Sequence, residues 1–212
     1  MFKRPMLMTA CNQPFDNEQF LFEPLIDGQR LLLSFINRKA RLFTKHGYEV
    51  TRQYPELLKL PLSRPVDVVL DGELAYMNPD TRRLEFAPLI DRYKMTKEAR
   101  IREGAIKWPV RYYVFDLLYY DGVDLRSKPL LERKKLLQAL LEDNGFFMKL
   151  PYVTGCGTQL WGRIAAYELE GMAGKRSESQ YLAGRSAHWL KMTNAAYSRI
   201  HMDANTVLHG SD

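Results

Sequence analysis

The nine residues FEPLIDGQR, from Phe22 to Arg30, carry the most informative combination of side chains in this sequence. They lie between an apolar lead-in and the strand-like run Leu31–Ile36, and they include the carboxylates Glu23 and Asp27. An Asp-Gly pair is typical of turns, because glycine adopts backbone conformations that other residues avoid. The segment therefore predicts a turn that presents polar groups at the edge of a β-sheet.

Length and composition indicate one globular domain. A chain of 212 residues with 46% hydrophobic residues can bury one sizeable core. The formal net charge of +6 suits a polyanionic partner, although charge alone is weak support for one. No signal peptide and no apolar run of membrane-spanning length are present in the sequence, so we expect no membrane partner and predict a cytoplasmic monomer.

Hydrophobic patterning predicts an α+β protein. Val110–Tyr120 is the strongest strand and is apolar on both faces, so it belongs at the centre of a sheet. The chain begins with a predicted extended arm at 1–13. Further strands are predicted on either side of Asn37-Arg38-Lys39, around Asp71-Gly72-Glu73 and at 188–192. Helical spacing occurs at 87–107, at Pro129–Glu142 and at 158–169, where Leu130, Leu131, Leu136, Leu137, Leu140 and Leu141 form the apolar face of the middle helix. Several strands with helices between them, without strict alternation of strand and helix, favour antiparallel sheets.

Each polar cluster has an ordinary structural explanation when it is considered alone. Asp27-Gly28, Asp71-Gly72 and Asp121-Gly122 are compatible with hairpin tips, and Glu170-Gly171 with a helix C-cap. Lys45 and Lys175 are compatible with solvated charges, and Trp189-Leu190-Lys191 with a core strand. The order and spacing of the clusters carry the functional prediction.

In this order the chain resembles the ATP-dependent DNA ligases, particularly the short bacterial members. These belong to the covalent nucleotidyltransferases, which also include RNA ligases and mRNA capping enzymes. The matching motifs are Leu25-Ile26-Asp27-Gly28-Gln29-Arg30, Lys45-His46-Gly47, Asp71-Gly72-Glu73, Phe115-Asp116, Glu170-Gly171-Met172-Ala173-Gly174-Lys175 and Trp189-Leu190-Lys191. The resemblance implies a nucleotidyltransferase (ATP-grasp-like) adenylation domain over residues 1–197, with two antiparallel sheets flanked by helices and a nucleotide cleft between them. Residues 198–212 are then a tail, which is either a remnant of the expression vector or the start of a missing OB-fold domain.

The resemblance also implies roles for individual residues. The backbone at Glu23 reads the amino edge of adenine, Phe115 stacks on the base, and Glu73 and Arg30 hold the ribose. The cations Lys45, Lys175 and Lys191 surround the phosphates of ATP, and Lys175 and Lys191 assist the transfer. Glu170, helped by Asp27, positions Mg²⁺, which prefers carboxylate oxygens.

The residue at position 25 departs from the family pattern. The family forms a covalent lysyl-AMP at this position, but Leu25 has no lone pair and cannot be a nucleophile. Three explanations stay open: a variant that has lost the lysine, a natural pseudoenzyme that binds nucleotide or nicked DNA, or a different lysine that reaches the site.

Two further departures concern binding. Thr193 stands where many relatives have another phosphate-binding lysine, and too few residues follow Lys191 for an OB-fold. The implied family reaction is the sealing of a 5′-phosphate/3′-hydroxyl nick in duplex DNA, in repair, replication or recombination. We expect this chain to be defective in self-adenylylation. The alternatives are a non-catalytic nucleotide- or DNA-binding module and an RNA ligase or capping-type transferase.

Overall fold

The computed structural model describes residues 1–197, which form two β-sheets and four α-helices. The strands are β1 (Met6–Ala10), β2 (Asn17–Pro24), β3 (Gln29–Ile36), β4 (Lys39–Thr44), β5 (Val68–Tyr76), β6 (Val110–Tyr120), β7 (Val123–Asp124), β8 (Phe147–Lys149), β9 (Val153–Gly155), β10 (Gly171–Arg176) and β11 (Gly184–Thr193). The helices are α1 (Ala87–Lys94), α2 (Glu98–Lys107), α3 (Leu130–Leu140) and α4 (Gly157–Ala166). The expected tail at 198–212 lies outside the described residues.

The strands are arranged as the predicted α+β class requires. Sheet A has the order β1-β11-β10-β2-β9, and sheet B has the order β4-β3-β5-β6-β7 with β8 paired to β6. Each sheet contains one parallel pair, β1 with β11 and β6 with β8, so the sheets are mostly rather than wholly antiparallel. β6 pairs with strands on both sides, which confirms its predicted central position.

Two predicted elements gain local detail in the structure. The helical segment predicted at 87–107 is divided into α1 and α2, because Met95 and Lys97 have extended backbone angles. Asp71-Gly72 lies inside β5, where the sequence predicts a strand around Asp71-Gly72-Glu73. A Cβ atom at Gly72 would lie 2.5 Å from the carbonyl oxygen of Tyr113, so the glycine allows β6 to approach closely.

Three apolar clusters hold these layers together. One lies between the sheets and includes Leu21 and Trp189 from sheet A with Leu32 and Val69 from sheet B. A second covers the opposite face of sheet B, and a third lies between sheet A and α4. No helix within residues 1–197 has the length and apolar character needed to cross a bilayer.

The buried face of α3 differs from the face that its leucines predict. Leu130 and Leu137 are buried, but Leu136 is 39% exposed. The positions between the two buried leucines on the same face are Arg133 and Lys134, which are 0% and 4% exposed. The helix therefore inserts two cations into the protein interior, where each needs an anionic partner.

Asp116 is the partner of Arg133. The guanidinium donates to both carboxylate oxygens, from Nε at 2.8 Å and from Nη2 at 2.7 Å, and both side chains are fully buried. Arg133 also donates to the backbone oxygens of Lys128 and Ser179. This pair attaches α3 to the middle of β6.

We predict that Asp116→Asn lowers the free energy of unfolding by about 3–5 kcal/mol, because it leaves the Arg133 charge buried without a counter-charge. The same substitution at Asp124, whose side chain is 39% exposed and pairs with Lys3 and Arg126, should cost about 0–1 kcal/mol. Urea denaturation of the three proteins measures both values. Equal losses in the two variants would show that the buried pair has no special role.

Candidate active site

The facing surfaces of the two sheets bring the polar motifs together. Side chains alternate along a strand, so Glu23 on β2 and Lys175 on β10 point to the same side of sheet A as the buried Leu21. On sheet B, Arg30 pairs directly with Glu73 across β3 and β5. Residues that are up to 183 positions apart in the chain thus line one cleft, which has an inner and an outer part.

The inner part is a small pocket between the sheets. Its volume is about 50 Å³. Phe115 forms one wall, and its ring lies 6.3 Å from that of Trp189 in an edge-to-face arrangement. The lining residues are Met8, Glu23, Pro24, Leu25, Ile26, Arg30, Glu73, Phe115, Leu150, Ala173, Lys175 and Trp189. An aromatic wall with charged groups at its end suits a flat heterocycle.

The outer part is a wide, polar cleft of about 580 Å³. Its charged lining consists of Asp27, Arg30, Lys45, Glu73, Glu170 and Lys191. The remaining lining residues are Met8, Leu25, Ile26, Gly28, Gln29, Thr44, His46, Tyr48, Phe86 and Tyr93. The mixture of cations and carboxylates can bind both phosphate groups and a hard cation.

Leu25 lies where the two parts meet, since it lines both of them. Its backbone N–H donates to the carbonyl oxygen of Gly171 at 2.9 Å, which joins the segment after β2 to the start of β10. Gly171 has φ of +152°, and a Cβ there would lie 2.1 Å from the carbonyl oxygen of Met192. The backbone that presents position 25 is therefore tightly packed.

Arg30 is held by an ion pair instead of projecting freely into the cleft. It donates to both oxygens of Asp71, each at 2.7 Å, and to the backbone oxygen of Met6 at 3.3 Å. Tyr181 donates its hydroxyl proton to the same carboxylate at 2.5 Å. The guanidinium carbon also lies 4.5 Å from the centre of the Phe115 ring. These contacts fix Arg30 against the wall of the inner pocket.

Glu73 is the carboxyl group with the most unusual protonation in the cleft. Burial raises the pKa of Glu73 to about 8, nearby Glu170 and Asp71 add to the rise, and Arg30 opposes it. Its side chain lines both parts of the cleft. A carboxyl group that is protonated at neutral pH both donates and accepts hydrogen bonds.

Lys175 lines the inner pocket, whereas Lys45 and Lys191, the other cations predicted to bind phosphate, line the outer cleft. Its ammonium binds Glu23 at 2.6 Å and lies 4.2 Å from the Phe115 ring centre and 4.1 Å from Trp189. Burial lowers the pKa of Lys175, and Glu23 opposes this change. The strand explains the placement, because Lys175 is four residues past Gly171, on the part of β10 that pairs with Leu21 of β2.

Glu23 contributes its buried side chain as well as its backbone to this pocket. Lys134 of α3 binds the carboxylate from the other side, so two ammonium groups share one anion. Burial by itself would raise the pKa of Glu23, but the two lysines lower it below its ordinary value. The carboxylate is therefore ionised and held in place.

The carboxylates predicted to position a metal both have partners. Glu170 accepts from Lys191 at 2.7 Å, and Asp27 accepts from the Tyr197 hydroxyl at 2.6 Å. Within residues 1–197 no three His, Cys, Asp or Glu side chains are grouped closely enough to hold a metal ion without further ligands.

Lys134 and Tyr181 were not identified from the motifs. Tyr181 lies in a loop with no distinctive pattern, and its hydrogen bond with Asp71 spans 110 residues. Lys134 had a detectable signal, because its spacing from Leu130 and Leu137 places a charge on the apolar face of a helix. A charge at such a position indicates a buried ion pair.

Comparison with known proteins identifies the family. The ATP dependent DNA ligase domain family matches residues 5–193. A DNA ligase-like protein of Bacillus subtilis, SPbeta prophage-derived LigB, is 32% identical over 94% of this chain and 70% of its own length. DNA ligase B of Mycobacterium tuberculosis is 32% identical over 81% of this chain, which corresponds to only 34% of that protein.

Solved structures agree with this relationship. Mycobacterial DNA ligase D complexed with ATP has a TM-score of 0.71 and 28% identity, covering 90% of this chain and 60% of that one. A Lig E DNA ligase has a TM-score of 0.63 at 15% identity, which shows the common fold. The chain spans about a third of the length of several other curated relatives, among them DNA ligases of Thermoplasma volcanium and Dictyoglomus turgidum. Its fold, its motif order and these similarities lead to one conclusion: the chain belongs to the family of ATP-dependent DNA ligase adenylation domains.

Proposed function

We propose that this domain binds ATP in the two-part cleft and acts on nicked duplex DNA, and that Leu25 prevents the first step of ligation. We further propose that it works as a cytoplasmic monomer in DNA repair, replication or recombination. The observation that carries the proposal is the position of Leu25, which lies at the junction of an aromatic pocket and a charged cleft.

The sizes and charges of the two parts support one orientation of the nucleotide. The base belongs against Phe115 in the inner pocket, which opens to accept it, and the phosphates belong in the wide outer cleft. Lys45 and Lys191 line that cleft and supply positive charge to the phosphates. Glu73 and Arg30 line both parts, which places them beside the ribose.

The carboxylates of the outer cleft fit Mg²⁺ when it arrives with ATP. Magnesium is commonly bound by one or two carboxylates together with substrate phosphates and water, so a cluster of three protein ligands is not required. Glu170, with Asp27 as a second candidate, would hold the ion. Bound there, Mg²⁺ would neutralise charge on the phosphates. Release of Glu170 from Lys191 would leave that lysine to bind a phosphate oxygen.

The missing amine prevents formation of the covalent intermediate, and with it any transfer of AMP to DNA, but not the sealing of a nick that is already adenylylated. In self-adenylylation an amine attacks the α-phosphate of ATP, the phosphorus–oxygen bond to the β-phosphate breaks, and pyrophosphate leaves. An aliphatic carbon cannot form the new bond. In nick sealing the nucleophile is the DNA 3′-hydroxyl and the leaving group is AMP. That step requires the cleft and its cations, and the residue at position 25 supplies no nucleophile to it.

Leu25 also favours a second candidate, a non-catalytic module that binds nucleotide or nicked DNA. Both candidates predict ATP binding without an adduct. They differ in whether the protein joins an adenylylated nick. A nick in RNA is the comparison substrate, because a DNA ligase should prefer the DNA nick and an RNA ligase or capping-type enzyme should not. Binding of DNA by this domain should rest on phosphate contacts and weaken steeply with salt.

We predict that Leu25→Lys restores self-adenylylation. The new amine would stand at the junction of the base pocket and the phosphate cleft, so incubation with ATP and Mg²⁺ should add one AMP to the intact mass. Leu25→Met, which has similar length and no amine, is the matched control and should gain nothing. An AMP adduct on the unsubstituted protein would contradict the proposal, and peptide mapping would then identify the lysine that reaches the site.

We predict that the unsubstituted protein joins a DNA nick that already carries a 5′-adenylyl group, when Mg²⁺ is present. It should leave a 5′-phosphate nick with ATP unsealed. Gel separation of labelled strands measures both reactions, and Lys191→Met should slow the first because a phosphate-binding cation is lost. Binding of ATP without joining of the adenylylated nick would favour the non-catalytic module.

We predict a pH-dependent stability that originates at Glu73. In the folded state its pKa is about 8, compared with an ordinary value of 4.5. The folded protein therefore keeps a proton that the unfolded chain releases, and stability falls as the pH rises through this interval. The melting temperature should decrease relative to that of Glu73→Gln from about pH 5 to about pH 8.5, by about 2–4 °C for each kcal/mol. If the melting temperatures of the two proteins changed in parallel with pH, Glu73 would have an ordinary pKa in the folded state.

A further inference from the structure

Lys134, Glu23 and Lys175 form a buried triad, of which Glu23 and Lys175 line the inner pocket. They come from α3, β2 and β10, and their exposures are 4%, 1% and 3%. Lys134 binds Oε1 of Glu23 and Lys175 binds Oε2. One carboxylate is thus shared by two ammonium groups, each paired with a different oxygen.

The triad has one positive charge in excess. The carboxylates nearest to it do not remove this excess, because Asp116 is bound at both oxygens by Arg133 and Asp71 at both oxygens by Arg30. An uncompensated charge in the interior is costly unless it binds something. A purely structural ion pair would need only one lysine for one glutamate.

The two lysines differ in what else they contact. Lys175 lines the inner pocket, whereas Lys134 does not line it and has its ammonium 4.9 Å from the centre of the Tyr152 ring. The ammonium of Lys175 is ion-paired with Glu23 and lies against the rings of Phe115 and Trp189. A lysine has three donors, so hydrogen-bonding capacity remains on the side of the pocket.

We propose that Lys134 is a positioning residue for base recognition. By binding Glu23 from the α3 side, it prevents that carboxylate from drawing Lys175 out of the pocket. Lys175 then donates to an acceptor on the edge of the base that stacks on Phe115. The inference rests on the proposed nucleotide function. The inner pocket should therefore prefer a purine whose edge facing Lys175 carries an unprotonated ring nitrogen, because that nitrogen can accept a hydrogen bond from the lysine.

The test compares ATP with 1-deaza-ATP, in which a C–H group replaces N1 of adenine. Isothermal titration with Mg²⁺ present measures both dissociation constants. A hydrogen bond from a charged donor should make ATP bind about tenfold or more tightly to the unsubstituted protein. Lys134→Met should reduce this ratio to about twofold, mainly by weakening ATP, because Glu23 then engages Lys175 alone.

Three variants separate positioning from simple structural support. Lys134→Arg keeps the charge and should keep the ratio. Lys135→Met removes an exposed charge from the next position of α3 and should leave the ratio unchanged. The double variant Glu23→Gln/Lys134→Met removes the carboxylate that would capture Lys175. It should regain the discrimination, and it also serves if Lys134→Met alone does not fold.

The outcomes distinguish this inference from the proposal on which it depends. If the unsubstituted protein binds both nucleotides equally, or if Lys134→Met keeps the full ratio, positioning by Lys134 is wrong and nucleotide binding stands. The same holds if the double variant folds and shows no discrimination. If the unsubstituted protein binds neither nucleotide, the proposed nucleotide function fails, and this inference fails with it.

Discussion

The ion pair between Arg30 and Asp71 is the interaction on which the site depends. Both partners lie on the face of sheet B that packs toward sheet A, and Asp71 is fully buried. A charge there is tolerable only when its partner binds it at both oxygens, as Arg30 does. Tyr181 adds a third hydrogen bond to Asp71 from the other end of the chain. The wall of the inner pocket includes this anchored guanidinium, which lies beside the Phe115 ring.

A second principle governs the polar interior: each buried charge is held from a different part of the chain. Asp116 and Arg133 connect β6 to α3, and Glu23 connects β2 to both α3 and β10. These contacts make α3 part of the site, although none of the nucleotide motifs lies in it. Leu25 anchors its segment through a backbone hydrogen bond to Gly171, which does not depend on the side chain at position 25. The fold and the cleft are therefore compatible with an aliphatic side chain at this position.

Motif order was sufficient to predict which residues share the cleft. Glu23, Arg30, Glu73 and Phe115 line the inner pocket as a group, and Lys45, Glu170 and Lys191 line the outer cleft. These residues share the cleft because the motifs lie on strands whose side chains alternate, so a short motif at a fixed place in a sheet determines a face. Lys175 lines the inner pocket, whereas Lys45 and Lys191 line the outer cleft. The spacing of motifs along the chain does not indicate at which position along the cleft each side chain lies.

The sequence by itself determined the α+β class, the long strand β6, the family and the absence of an amine at position 25. These features are local: they depend on hydrophobic periodicity and on residue types at short spacing. Only the tertiary structure decided that Arg30 is bound by Asp71, that Lys134 shares Glu23 with Lys175, and that Glu73 keeps its proton near neutral pH. Those properties arise from burial and from charges brought together across dozens to more than a hundred residues. Electrostatic energies in a protein interior depend on such distances and not on the order of residues in the chain.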